Sequence, residues 1–326
     1  LKLEGLSSIW QEHVMIVSAS RRTDIPAFYS QWFLNRLKAG EVMIRNPFNP
    51  RQVSRIGISR QTVDFIVFWT KNPASMMERS AELDSHEISY YYQFTVTPYG
   101  KALEPNLPDL KTRVEIFRTL SDMLGNQRVI WRYDPIIFTD EMDIEYHKTQ
   151  FSFLARSFEG YTRRCVISFL HLYAKCRKNL KNFPLIEVSG EHRKELGSSL
   201  RETAASRGIE IVSCALEHEL MSEGIKNGKC IDDELISNIT GKNISVRKDR
   251  YQRAACNCVE SIDVGMYNTC AHLCVYCYAN SNASSVEENV RRHDPQSPLL
   301  IGALTGKDAV IEREGKSFFV PECEPA

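Results

Sequence analysis

Six short runs rich in Val, Ile, Phe and Tyr recur along this chain, at 15–18, 64–70, 90–97, 129–137, 165–170 and 209–216. Each is followed by a polar break and a stretch of helical periodicity. No other feature constrains the fold as much. Strands separated by helices cannot pair as tight hairpins, so they pair in parallel, with each helix as the crossover. The helical stretches carry the inward stripe this requires: Trp32, Phe33 and Leu37 within 29–39, and Val114, Phe117, Leu120 and Leu124 within 110–124. The stretch VMIRNPFNPRQVSRIGI at 42–58 predicts an extra hairpin between the first two units.

Two parallel architectures satisfy this pattern. A doubly wound sheet is one, but no glycine-rich phosphate fingerprint follows any of the six runs. A barrel is favoured by the chemistry at the carboxyl ends of the runs. Ser20, Arg21, Arg22 and Asp24 follow the first, and Lys71 and Asn72 the second; Gln93, Thr95 and Thr97 lie in and after the third. The fourth carries Arg132 and Asp134, the fifth Ser168 and His171, the sixth Cys214, Glu217 and His218. A (βα) barrel presents its site in this way, although polar residues at strand ends are also where water begins in any α/β protein. The expectation is a partial or complete parallel (βα) barrel, TIM-like, with at least six βα units. The candidate catalytic residues are Arg21, Arg22, Asp24, Arg132 and Asp134, because charged groups among Trp131, Tyr133 and Ile136 need partners.

Composition excludes several classes. With 326 residues, 43% hydrophobic and 25% charged, the chain can bury a substantial core, so disorder, collagen and small disulfide scaffolds are out. Lys and Arg total 41 and so do Asp and Glu, which argues against coating nucleic acid or an anionic membrane. No apolar run approaches the ~18 residues of a membrane helix, and LKLEGLSSIWQEHV at the start does not read as a secretory signal. A cytoplasmic protein is expected, and in a reducing compartment its ten cysteines are not expected to form disulfides. All ten lie at or beyond position 165, and five fall between 256 and 277.

Within CNCVESIDVGMYNTCAHLCVYCYAN at 256–280, Cys270, Cys274 and Cys277 form a C-x3-C-x2-C triplet with Tyr276 before the last. Thiolates this close select an iron–sulfur cluster or zinc over hard cations. Structural zinc wants a fourth ligand from elsewhere, whereas a 4Fe-4S cluster on three cysteines keeps one iron open. Cys256 and Cys258, with Cys230 and Cys214, make a candidate second iron–sulfur or zinc site, against the alternative that Cys214 is a small core residue and Cys256 a loop residue. Cys165, Cys176 and Cys323 have no partners at metal spacing and read as structural. The run SVRKDRYQRAAC contains Arg247, Lys248, Arg250 and Arg253. It suits phosphate with Tyr251 stacking a base, but cations and the Gln252 amide beside a negatively charged cluster are the stronger reading, and nucleic acid is not expected as a partner.

The triplet with its preceding aromatic resembles the cluster motif of the radical S-adenosylmethionine superfamily. The segments MIVSASRRTDIPAFY at 15–29, FWTKNP at 68–73, FTVTPYG at 94–100, RYDPI at 132–136 and CVESIDVGMYNTCAHLCVYCYAN at 258–280 together resemble an uncharacterised bacterial and archaeal family, the domain of unknown function numbered 1848. That resemblance covers the chain from Met15 onward and makes residues 1–14 an N-terminal extension. It implies a C-terminal cluster similar to that of the radical superfamily, with S-adenosylmethionine chelated by the open iron. Two departures stand. The cysteine loop follows all six strands instead of the first, and the glycine-rich segment after the second strand is replaced by TKNPAS.

The expected organisation is therefore an extension at 1–14, a barrel at 15–225, a cysteine-rich iron–sulfur segment at 226–290, and a tail at 291–326 packed on the barrel. Tyr276, Lys71, Asn72, Gln252 and Arg253 are the candidate cofactor-binding residues. Two function classes remain. One is a radical S-adenosylmethionine-type enzyme with a small-molecule substrate and a reductant such as flavodoxin or ferredoxin; the other is a non-catalytic protein stapled by structural zinc or an iron–sulfur site.

Overall fold

The computed structural model describes residues 15–214, 218–313 and 318–319. The expected extension at 1–14, Glu217, the His218 side chain and Cys323 lie outside the described residues. All six expected strands form: β1 (Met15–Ala19), β4 (Val63–Thr70), β5 (Tyr90–Thr95), β6 (Val129–Ile136), β7 (Arg164–Phe169) and β8 (Glu210–Cys214). The expected hairpin is β2 (Glu41–Arg45) with β3 (Gln52–Gly57), antiparallel. Three further short strands are β9 (Lys226–Gly228), β10 (Ile262–Asp263) and β11 (Ala309–Arg313).

Eight strands make one sheet in the order β10-β1-β4-β5-β6-β7-β8-β9, and every pairing is parallel. From β1 to β8 the order never reverses, so the sheet has no doubly wound switch point. Strands β9 and β10 stand at opposite ends of that order and do not pair with each other. The 226–290 segment thus supplies both end strands of the main sheet.

A period of two divides each strand between two faces. Val17, Ile66, Phe68, Tyr92, Trp131, Cys165 and Ile167 join the large core with Trp32, Phe33 and Leu37 from the helix Ser30–Ala39, and with Val114, Phe117 and Leu120 from the helix Leu110–Leu124. The other face carries Ile16, Val67, Tyr91, Ile130, Val166 and Val212, packed against Ile231, Ile236 and Val259 from the chain between β9 and β10. That chain ties both ends of the sheet, because the Val259 amide donates to the Ile231 carbonyl at 3.2 Å.

The tail continues outside this sheet. β11 adds in parallel to β3, making a three-stranded sheet. Trp32 Nε1, Asn35 Nδ2 and Arg36 Nη2 donate to the carbonyls of Ser297, Pro295 and Gln296, so the helix Ser30–Ala39 holds the tail down.

Candidate functional site

Moving two residues on from each inner core position changes the chemistry of that face. Ile16, Val67, Tyr91, Ile130, Val166 and Val212 give way to Ser18, Trp69, Gln93, Arg132, Ser168 and Cys214. Parallel strands bring all six to one side. Four of them are in contact: Trp69 Nε1 donates to Ser18 Oγ at 3.1 Å, Arg132 Nη1 to Gln93 Oε1 at 3.2 Å, and Arg132 Cζ lies 5.0 Å from the Trp69 ring centroid. Asp134 accepts from Arg132 Nη2 and from Ser168 Oγ.

The four cysteines at 214, 230, 256 and 258 gather against this row. Arg132 Nη1 donates to Cys230 Sγ at 2.9 Å, and Cys230 Sγ stands 3.5 Å from Cys214 Sγ. The Cys230 amide donates to Cys258 Sγ at 3.3 Å, and Cys256 hydrogen-bonds Cys258. Hydrogen bonds from Cys230 and Cys256 push the Cys258 thiol far below its usual range, with Arg21 adding to the effect. Cys214 is drawn down to about 7, first by the hydrogen bond from Cys230 and then by Arg132, against the opposing effect of burial.

The triplet lies over the ends of β1, β4 and β5. Cys274 is buried and Cys270 and Cys277 half-buried, all three as free thiols. Burial pushes Cys274 up to about 12 and raises Cys270 and Cys277 as well, so without a metal all three hold their protons. The loop is pinned by Glu104, a carboxylate 1% exposed. Glu104 accepts from Lys71 Nζ at 2.8 Å, Thr97 Oγ1 at 2.7 Å, Arg113 Nη1 at 3.0 Å and the Tyr276 hydroxyl. On the other side His272 Nε2 meets Asp24 Oδ2 at 2.9 Å, and Asp24 also accepts from Thr70 Oγ1 and the amides of Lys71 and Ala27.

The expected site residues divide by neighbourhood. Arg132, Asp134 and Arg21 surround the row of four cysteines; the Arg21 guanidinium sits beside Cys258 and 5.3 Å from the Trp69 centroid. Asp24, Lys71 and Tyr276 belong to the triplet side. Asn72 turns toward the start of the short helix Ala74–Met77, with Oδ1 accepting from the Ala74 amide, and Gln252 bonds Asp249 within one turn. Arg253 stacks at 6.0 Å from the Tyr173 ring. Cys176, read as structural, donates to the Tyr276 carbonyl at 3.2 Å and so braces the triplet loop.

Arg22 is committed to Asp263, a residue sequence reasoning missed because a two-residue strand gives no periodic signal. Asp263 accepts from Ser18 Oγ, Ser20 Oγ, the Arg21 amide and Arg22 Nε. Burial alone would raise its carboxyl, but Arg22 and Ser20 hold it below the usual range. Gly265 makes this approach feasible, since a Cβ there would stand 2.0 Å from Ser20 Oγ and 2.6 Å from Ser20 Cβ. Gly265→Ala is accordingly expected to cost about 1–3 kcal/mol in thermal unfolding through overpacking. A cost within ~0.5 kcal/mol, the size of an ordinary surface change, would show that the two loops part freely. Glu104, His272 and Trp69 also escaped sequence reasoning; the only signal for Glu104 was a lone acid in the proline-flanked segment PYGKALEPNLP.

Among the described residues no group of three or more His, Cys, Asp and Glu side chains is already arranged as metal ligands are. No helix among them is long and apolar enough to cross a membrane. No curated protein matches the chain. The model of one family, described as Domain of unknown function (DUF1848), matches residues 16–279, a stretch that runs from the first strand through both cysteine sets and covers most of the chain. On that match the chain belongs to the DUF1848 family.

Proposed function

We propose that this protein is an iron–sulfur enzyme of the radical S-adenosylmethionine type, in which Cys270, Cys274 and Cys277 hold a 4Fe-4S cluster beside a small-molecule substrate site. The observation that supports it most is the set of three free thiols within one eight-residue turn over the carboxyl ends of parallel strands. We read the sheet as a partial (βα) barrel, because its strand order does not reverse and the chain between β9 and β10 joins its two ends.

The residues around the turn suit such a group. Thiolates on a cluster need countercharge, and Lys71 and Lys175 both lie near enough to favour the Cys277 thiolate. Cluster sulfurs accept N–H bonds, and the Ala279 amide already donates to Cys277 Sγ at 3.3 Å. His272 Nδ1 and Asn280 Oδ1 are buried without hydrogen-bond partners, which leaves two polar atoms beside the turn for a ligand. When bound and reduced, a cluster of this type supplies the electron that cleaves S-adenosylmethionine to a 5′-deoxyadenosyl radical. A flavodoxin or ferredoxin is the class of reductant that chemistry needs, and a cytoplasmic setting agrees with the free cysteines.

The deciding experiment is whether anaerobically reconstituted, dithionite-reduced protein holds iron and acid-labile sulfide and converts S-adenosylmethionine to 5′-deoxyadenosine. Cys277→Ala is expected to lose the iron. Lys175→Ala is expected to keep it while cutting 5′-deoxyadenosine formation roughly 10- to 100-fold, the scale of one charge-assisted contact. Protein that takes up no sulfide overturns the reading and favours a structural metal site.

A further inference from the structure

We infer that Cys214, Cys230, Cys256 and Cys258 constitute a second metal site, separate from the triplet, that binds a single thiophilic divalent ion, zinc by preference, with four sulfur ligands. This goes beyond the proposed radical chemistry and does not depend on it.

The ligands come from three parts of the chain: the end of β8, the turn after β9, and the Cys-x-Cys approaching β10. The one carboxylate close to them, Asp134, acts on Cys214 but is itself taken up by Arg132 Nη2 and Ser168 Oγ. Cys230, Cys256 and Cys258 are buried at 1%, 7% and 2% exposure, so these thiols are not a solvent-facing scatter. No disulfide joins them. The 3.5 Å between Cys230 Sγ and Cys214 Sγ is far beyond the ~2.05 Å of a disulfide. It is near the ~3.8 Å edge of a tetrahedron built from Zn–S bonds of ~2.3 Å. A 4Fe-4S cube would stand between its ligands and keep their sulfurs well apart, so the close spacing of this pair puts both on one metal and argues against that cluster.

The surroundings are those of a metal thiolate. A divalent ion with four thiolates keeps two negative charges, and two guanidinium groups face the row. Arg132, 4% exposed, donates to Cys230 Sγ at 2.9 Å. Arg21 lies beside Cys258, and its Nη2 is buried with no hydrogen-bond partner. The Cys230 amide donates to Cys258 Sγ, and the Cys230 carbonyl is fixed by the Tyr91 hydroxyl at 2.7 Å and Gln93 Nε2 at 2.8 Å. Supporting bonds of this kind orient ligands around an ion. Without the ion the thiols stand in a row, so uptake is expected to draw them together as their protons leave. The ion would join β8, β9 and the approach to β10, the two ends of the sheet that no strand pairing connects.

The test uses the full chain carrying Cys270→Ala, Cys274→Ala and Cys277→Ala, stripped of metal and titrated anaerobically with Zn2+ and with Co2+. One tightly held equivalent is expected, with the visible absorption of tetrahedral thiolate-bound Co2+. Cys256→Ser or Cys258→Ser on that background should weaken binding by more than the ~10- to 100-fold of an outer-shell change, and Arg132→Gln by an amount within that range. Zinc-edge X-ray absorption on the unmutated chain provides a measurement that needs no variant to fold, and four sulfurs at about 2.3 Å are expected. The inference is overturned if the folded triplet variant binds neither ion. It is equally overturned if zinc stays stoichiometric in Cys258→Ser, or if the triplet variant still carries acid-labile sulfide.

Discussion

Replacing Glu104 with Ala is expected to destabilise the protein by about 3–5 kcal/mol, the range for breaking one partner out of a buried ion pair. The carboxylate is 1% exposed and so is Arg113, which donates to it at 3.0 Å. Without Glu104 that guanidinium stays in the core uncompensated, Lys71 loses its ion pair, and Thr97 and Tyr276 lose an acceptor. Urea unfolding of the variant against the unmutated protein measures the loss, and a value under ~1 kcal/mol, typical of an exposed pair, would mean that Arg113 finds another partner. The pH dependence carries a second signature. Burial raises the Glu104 carboxyl, but Lys71 and Arg113 more than offset it, so the folded value lies below the ordinary one. Its contribution is therefore complete above the unfolded value of about 4.3 and is lost as the pH falls through the lower folded value. Glu104→Gln should flatten the stability profile in that acid window.

A second large effect lies at higher pH. His147 is fully buried, with Nε2 2.9 Å from the Ile137 carbonyl and Nδ1 2.9 Å from the Tyr133 hydroxyl. A carbonyl only accepts, so Nε2 carries the proton and Nδ1 accepts from Tyr133. Burial, opposed by the Ile137 bond and by Asp143, lowers this imidazole from 6.5 to about 4. The stability it confers is present above the unfolded value and disappears as the pH falls toward the folded one. Over a window of some 2.5 units the loss amounts to about 3 kcal/mol. The free energy of unfolding should fall by that amount between pH 7 and pH 4 in the native sequence, and His147→Gln should remove this slope while keeping the acid slope of Glu104. An unchanged slope in His147→Gln would assign the transition to another group.

The six long strands were legible because each buries a face for five to eight residues, long enough for periodicity to register. β9 and β10, with three and two residues, carry no such pattern. They exist because β8 and β1 leave open edges for the chain to pair with. The cysteine triplet stands out in the sequence for a related reason, since its spacing is confined to eight residues.

The sequence by itself determined which residues reach the carboxyl ends of the strands, because strand period and crossover direction are local properties. Only the tertiary structure decided how those residues pair. Arg22 meets Asp263 across 241 positions, Arg132 meets Cys230 across 98, and Glu104 meets Tyr276 across 172. Such pairings depend on which loops meet at the carboxyl edge of the sheet once it has formed. A buried charge then takes the partner its position leaves within reach, and no spacing along the chain encodes that choice.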